Sequence, residues 1–181
     1  MAQRITGPTV ATVGTPATWS QITHWDTTGY KFGWMRDGQA LTGSNGADVG
    51  TAFGLAGTRQ ITGIAWRTDQ TADTVSYAVG VGPAVSISGP GTISSTGSYT
   101  WTAVPTGCAS TCTYQWAYMS SGSSTWINLG TGVTQTRSIS SSTPNFTLRV
   151  TATSAGYSTA RTKFVSNATY SPPGGGRNPF C

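Results

Sequence analysis

Short stretches in which apolar and polar residues alternate run along the whole chain and predict β-strands. Those in the first half are "ATWSQI" (17–22), "YKFGWM" (30–35), "RQITGIAWRT" (59–68) and "DTVSYAVGV" (73–81). The second half supplies more, including "AVSIS", "SYTWTAV", "CTYQWAYM", "NFTLRVTAT" and "ARTKFVS", each bounded by Gly, Pro, Ser or Asn. No window of ten residues shows an apolar period of 3.6, so the pattern predicts no helix.

The chain also repeats itself. "ITGPTVATVGTPATW" (5–19) is echoed by "ISGPGTISSTGSYTW" (87–101), with the Ile, the Gly-Pro and the Thr-Trp matching at an offset of 82 residues. Trp34 and Trp116 are separated by the same offset. A repeat of this period predicts two units of about 80 to 90 residues, each large enough for its own core.

We therefore expect three segments, namely a first module at residues 1–82, a second at 83–168 and a Pro/Gly-rich tail at 169–181. About seven short strands per module, with a turn every 8 to 12 residues, are typical of a two-sheet antiparallel sandwich.

The alternation also predicts the core. Trp34 and Trp116 are expected to be largely buried, as are Leu148 and Val150 in "FTLRVTAT". Phe146, Leu148 and Val150 alternate inward, and we expect them to face Trp116 from the opposite side of the same core.

These segments resemble a known family. "FGWMRDGQAL" followed by "GTRQITGIAW" is similar to the C-strand Trp and F-strand region of an immunoglobulin-like domain. "GPGTISSTGSYTWTA", "YQWAYMSSGSSTWINL" and "FTLRVTAT" resemble the immunoglobulin-like and PKD-like modules of bacterial surface proteins and phage virion proteins. The resemblance extends over residues 4–167 and implies an all-β protein of two tandem Ig-like antiparallel β-sandwich domains. It departs from antibody domains, whose disulfide joins strands B and F, because Cys108 and Cys112 both fall between the segments that correspond to strands B ("SYTWTAV") and C ("YQWAYM").

Charge is scarce and uneven. Only 8% of residues are charged, the net charge is +5, and no Glu occurs. All five Asp lie at or before position 73, whereas the second half contributes Arg137, Arg149, Arg161, Lys163 and Arg177. The second half is therefore the one expected to meet an anionic partner. Its outward cations either form a small basic patch of Arg149, Arg161 and Lys163, or keep an exposed sheet soluble and its edge unpaired.

Candidate catalytic groups are few. His24-Trp25-Asp26 is the one cluster that could be interpreted as a site, and a surface pair is the more common role for such residues in a loop. The sequence has no phosphate-binding loop, no nucleophile elbow and no Cys/His zinc pattern. We therefore expect a protein that is not an enzyme and holds neither a cofactor nor a metal.

Cys108 and Cys112 are separated by three residues, a spacing that allows a small disulfide ring in an oxidising compartment. In a reducing compartment both would remain thiols. We favour the disulfide because the fold is of an extracellular kind.

Two functions are consistent with this sequence. The first is a non-enzymatic virion protein, made in the host cytoplasm, that decorates a capsid or forms part of a fibre and contacts capsid or tail subunits in a symmetric assembly. Its expected contact surface adds the tail residues Arg177, Phe180 and Cys181 to the three cations of the basic patch. A host-surface glycan is a further candidate partner.

The alternative is an extracellular adhesin or carbohydrate-binding module, in which an exposed Trp25 or Trp126 would stack on sugar rings. No nucleic-acid or membrane partner is expected, since no aromatic platform is separable from the core and no apolar run reaches 18 residues.

Overall fold

A computed structural model describes residues 3–22, 29–67 and 71–172. Within these ranges the chain forms β-strands joined by turns and loops, and no α-helix. Consequently, the described part contains no helix that could cross a membrane. The chain divides into two compact units. The first is Met1–Ala84 with Thr106–Thr111 and Ser154–Tyr157, and the second is Val85–Pro105, Cys112–Thr153 and Ser158–Cys181.

The first unit contains two sheets, one of order β1-β3-β6 and one of order β2-β8-β7-β4-β5. All strand pairs in them are antiparallel except β2 with β8, which run parallel. The strands are β1 (Arg4–Thr6), β2 (Val10–Thr12), β3 (Ala17–Ile22), β4 (Lys31–Arg36), β5 (Gln39–Ala40), β6 (Asp48–Thr51), β7 (Gly57–Trp66) and β8 (Asp73–Gly82).

Large aromatic residues fill the space between these sheets. Trp19 on β3 is fully buried and meets Phe53 edge-on, with ring centroids 5.8 Å apart. Trp34 on β4 is buried as predicted, and its indole Nε1 donates to the Gly46 carbonyl at 3.0 Å. Ile61 and other apolar residues of β7 and β8 complete the core, so the unit has a hydrophobic centre of its own.

The second unit repeats this plan with a sheet of order β14-β11-β9 and a sheet of order β10-β16-β15-β12-β13. The pair β10 and β16 is parallel, as its counterpart is in the first unit. The strands are β9 (Ala84–Ser88), β10 (Thr92–Ile93), β11 (Gly97–Thr106), β12 (Thr113–Ser120), β13 (Ile127–Thr131), β14 (Thr134–Ile139), β15 (Phe146–Ser154) and β16 (Tyr157–Asn167).

The core of the second unit confirms the predicted burial and corrects one predicted contact. Trp116, Leu148 and Val150 are all fully buried. Trp116 does not face Val150 across the core, however, because the two residues are direct partners on the neighbouring strands β12 and β15 of one sheet. Trp101 on β11 reaches this sheet from the opposite one and meets Phe146 edge-on, with ring centroids 5.9 Å apart.

Asn167 ends the last strand and joins it to a neighbouring loop. Its buried side-chain Nδ2 donates to the carbonyls of Ser140 (3.0 Å) and Thr143 (2.8 Å). Its backbone N–H donates to Asn145 Oδ1 at 2.7 Å. These bonds satisfy polar groups that would otherwise be buried without partners.

Candidate binding face of the second unit

The five-stranded sheet of the second unit has one face on the core and one turned outward. Along β15, Phe146, Leu148, Val150 and Ala152 are buried, whereas the residues between them are partly exposed. Because side chains alternate across a strand, Arg149 lies on the outward side, which we name the outer face. This position agrees with the sequence expectation for Arg149.

Arg149 lies over the ring of Trp126, which immediately precedes β13. The guanidinium carbon is 4.2 Å from the ring centroid, within the range of a cation–π interaction. Ala117 on β12 stands directly opposite Arg149 on the same face and is 7% exposed. A residue this small leaves room above the sheet for the stacked pair. The sequence identifies Trp126 as a candidate for sugar stacking but does not predict its pairing with Arg149.

Phe164 lies on the same outer face. β15 and β16 are joined at Ala155 and Gly156, both with positive φ (51° and 81°), as in a two-residue hairpin turn. This turn places Thr153 beside Ser158, and their hydroxyls are 2.6 Å apart. Continuing the register along the antiparallel pair brings Phe164 opposite Thr147, two residues from Arg149. The Phe164 side chain is 56% exposed.

Arg161 and Lys163 do not join Arg149 on this face. Both share the parity of Val165, which is fully buried, so they leave β16 on the side of the core. Lys163 Nζ donates to the Ile87 carbonyl on β9 at 3.5 Å. The structure therefore divides the three cations between two faces of the sheet, and they do not form a single basic patch.

The remaining residues of the predicted contact surface, Arg177, Phe180 and Cys181, lie outside the described residues, as do His24, Trp25 and Asp26. The described part of the C-terminal segment is bonded to the second unit. There, the Tyr170 N–H donates to the Asn167 carbonyl and the Ser171 N–H to the Ser141 carbonyl.

Acidic residues of the described ranges belong to the first unit. Asp37 accepts from the Gln60 N–H at 2.9 Å and forms an ion pair with Arg59 at 3.9 Å. Over the same ranges, no group of three or more His, Cys, Asp or Glu residues is placed to hold a metal ion. Asp37 and Arg59 thus act in local structure.

Cys108 and Cys112 are disulfide-bonded. The bond closes the loop between β11 and β12, and Cys112 is buried directly before β12 begins. In the chain-entropy description, closing a loop this short stabilises the folded state by only a small amount, about 2 kcal/mol.

Arg137 on β14 is a further cation in an unusual environment. Its guanidinium carbon lies 3.8 Å from the ring centroid of Tyr118 and 4.5 Å from that of Phe146. Nη1 is buried and has no hydrogen-bond partner within the described part of the chain. Burial lowers the pKa of this guanidinium, and the nearby Tyr118 hydroxyl partly offsets the effect. The sequence carried a signal for this position, because Arg137 alternates with the buried Ile139.

Each unit pairs two sheets around its own core, and in both the strands run antiparallel except for one short pair. The chain is all-β, with two tandem immunoglobulin-like sandwiches. The fold class predicted from the sequence is therefore confirmed.

No protein-family model matches the sequence, and neither does any curated protein. Among solved structures, the chain is similar to three N-terminal domains of the Highly Immunogenic Outer Capsid protein (Hoc) of bacteriophage RB49. The sequence identity is 15%, the TM-score is 0.38, and the match covers 92% of this chain and 58% of the phage structure.

Two further similarities involve fibronectin modules. The fibronectin(III)-like modules of Clostridium thermocellum CbhA match at 13% identity and a TM-score of 0.36, over 94% of this chain and 98% of theirs. A two-domain fibronectin type III segment of chicken tenascin matches at 10% identity and a TM-score of 0.46, over 91% and 97%. Similarities this distant do not extend to partners or activity.

Proposed function

We propose that this chain is a non-enzymatic structural protein of a virion, a capsid decoration or fibre component that exposes Ig-like modules for attachment or shell stabilisation. The main support is the division of charge between its two units. No carboxylate side chain follows Asp73, whereas five Lys and Arg residues do. A surface of this composition is attracted to acidic surfaces, because the same unit has no carboxylate side chain that could neutralise its positive charges.

The architecture supports the same proposal. Each unit has its own hydrophobic core, and backbone hydrogen bonds outside the strands join its turns and loops. Catalysis by acids and bases needs converging titratable groups, which the described second unit does not offer. The proposed partners are capsid or tail subunits of a symmetric particle, and the proposed location is the virion after synthesis in the host cytoplasm.

One observation favours a second candidate, an extracellular adhesin or carbohydrate-binding module. Trp126, Arg149 and Phe164 share the outer face of one sheet. Aromatic and polar side chains of this kind supply stacking and hydrogen bonding to a ligand.

The virion proposal is tested by following the chain in particles. Particles purified from the source culture by density gradient should contain the chain, detected by mass spectrometry and by immunogold labelling of the shell or fibres. A chain that is recovered in cell envelopes or in the particle-free fraction would contradict the proposal and favour the second candidate.

The attachment site is tested by truncation. Deleting residues 173–181 leaves the hydrogen bonds of Tyr170 and Ser171 in place. The truncated chain should therefore keep the circular dichroism spectrum of the full chain but lose incorporation into particles. Incorporation at the full level would show that the chain attaches by another surface.

A further inference from the structure

Arg149 has an unusual charge environment. Within the described part of the chain, its guanidinium contacts the Trp126 ring and has no hydrogen-bond or ion-pair partner. The sequence offers no carboxylate side chain beyond Asp73 to compensate it. A guanidinium has five N–H donors in a planar fork, and stacking one of its faces on a ring leaves the edges available.

Trp126, Arg149 and Phe164 form a row across the outer face. The row begins at Trp126, directly before β13, continues at Arg149 on β15, whose partner on β12 is Ala117, and ends at Phe164 on β16. The backbones at its two ends are three strand spacings apart, or about 14 Å. Between the aromatic ends lie the guanidinium, Thr147 on β15 and its partner Met119 on β12, and Thr151 follows Arg149 on the same face.

We propose that this row binds an acidic polysaccharide. The edge of the Arg149 guanidinium pairs with a sugar carboxylate, and the rings of Phe164 and Trp126 contact the apolar faces of neighbouring sugars. The threonine hydroxyls of β15 are placed to bond sugar hydroxyls. This inference goes beyond the proposed function, because it holds whether the chain is carried by a particle or by a cell.

The surface fits this ligand better than it fits other acidic macromolecules. Binding to nucleic acid rests on several cations along a phosphate backbone, but Arg149 is the one cation on the described outer face of these strands. A stable protein interface usually buries about 800 Å² on each partner around an apolar centre. The row instead offers two separate rings with a charge between them, which suits a narrow chain of alternating apolar and polar groups.

The test measures binding of the full chain to alginate, a polymer of uronic acids, by biolayer interferometry, with dextran as the neutral polymer. We expect binding to alginate and at least tenfold weaker binding to dextran. Arg149→Gln should weaken alginate binding about tenfold, the loss typical of one charge-assisted contact. Phe164→Ser should weaken it severalfold. Arg149→Lys, which keeps the charge but loses the planar fork, should fall between Arg149→Gln and the unmodified chain.

Arg161→Gln is the matched control. It removes the same charge from the opposite side of the sheet and should change alginate binding by less than about twofold, as expected for a long-range effect alone. Melting curves establish that each variant is folded. Equal losses in Arg149→Gln and Arg161→Gln would overturn the proposal, since binding would then depend on net charge alone.

Two other results would overturn it. If dextran bound as tightly as alginate, the sugar carboxylate would have no part in binding. Equal, Arg149-dependent binding to poly-L-aspartate would identify an acidic protein as the occupant. Incorporation of the unmodified chain into particles is measured separately in the gradient experiment and does not depend on alginate binding, so a failure of this proposal is distinguishable from a failure of the virion assignment.

Discussion

The indole Nε1 of Trp101 donates a hydrogen bond to the backbone carbonyl of Pro90 at 2.8 Å. The same bond joins Trp19 to Pro8 in the first unit, at 3.3 Å. In the second unit the preceding Gly89 has a φ of 124°, and a Cβ there would lie 2.7 Å from Trp101 Cδ1. The repeated Gly-Pro and Trp are thus one local structure, in which glycine allows close approach to the ring and the carbonyl satisfies a buried N–H.

The first prediction concerns this close approach. Gly89→Ala should lower the free energy of unfolding by about 1 to 3 kcal/mol, as overpacking does, because the methyl group would collide with Trp101 and with the Thr100 carbonyl. Urea denaturation gives the measurement. Gly91→Ala is the control, since a Cβ there meets Lys163 Cε at an ordinary 3.9 Å. Equal stabilities for the two variants would show that the glycine is not needed for the contact.

The second prediction concerns the core of the second unit. Trp116→Ala should cost about 3 to 5 kcal/mol, because a fully buried aromatic side chain is replaced by a cavity. The lost hydrogen bond from Trp116 Nε1 to the Gly132 carbonyl adds to this cost. Trp126→Ala, at a partly exposed position outside the core cluster, should cost less than half as much. Calorimetric unfolding compares the two, and a loss below about 1 kcal/mol in Trp116→Ala would contradict the assigned core.

Much of the fold could be predicted from the sequence, because sheet burial has a period of two. The predicted strand at residues 17–22 matches β3, and Trp34, Trp116, Leu148 and Val150 are buried as expected. Strand pairing was harder. Alternation identifies which side of a strand is buried but not which strand lies beside it, so the pairing of Trp116 with Val150 in one sheet was missed.

The candidate binding face shows the same limit. The outward direction of Arg149 follows from its buried neighbours, and the parity of Arg161 and Lys163 could have been determined from Val165. The stacking of Trp126 on Arg149 could not, because Trp126 follows the loop of residues 121–125, and the path of such a loop is not encoded in a hydrophobic period.

The third prediction concerns the end of β16. Asn167→Asp replaces an amide that donates to the Ser140 and Thr143 carbonyls with a group that cannot donate to them. A loss of about 1 to 3 kcal/mol is expected, the usual cost of leaving buried polar groups without partners. Asn128→Asp is the control, because Asn128 is exposed and its Oδ1 only accepts, from Gln115 and Gly130. A similar loss in both variants at pH 7 would point to added charge as the cause.

The last prediction concerns the cation inside the aromatic cluster of Tyr118 and Phe146. Burial lowers the pKa of Arg137, so its charged form is less favourable in the folded chain than in the unfolded one. For a base with a lowered pKa, this cost is fully present at neutral pH and is relieved only as the pH rises through the folded-state pKa. The cation–π contacts reduce the cost but do not reverse the direction of the shift.

Arg137→Met keeps much of the apolar volume and removes the charge, so its free energy of unfolding at pH 7 should equal or exceed that of the unmodified chain, by up to about 1 kcal/mol. Arg137→Ala also loses the packing of the aliphatic stem on the two rings and should be less stable by about 1 to 2 kcal/mol. Urea denaturation at pH 7 compares them. If Arg137→Met lost as much as Arg137→Ala, the guanidinium itself would be the stabilising group, and the cost assigned to burying its charge would be wrong.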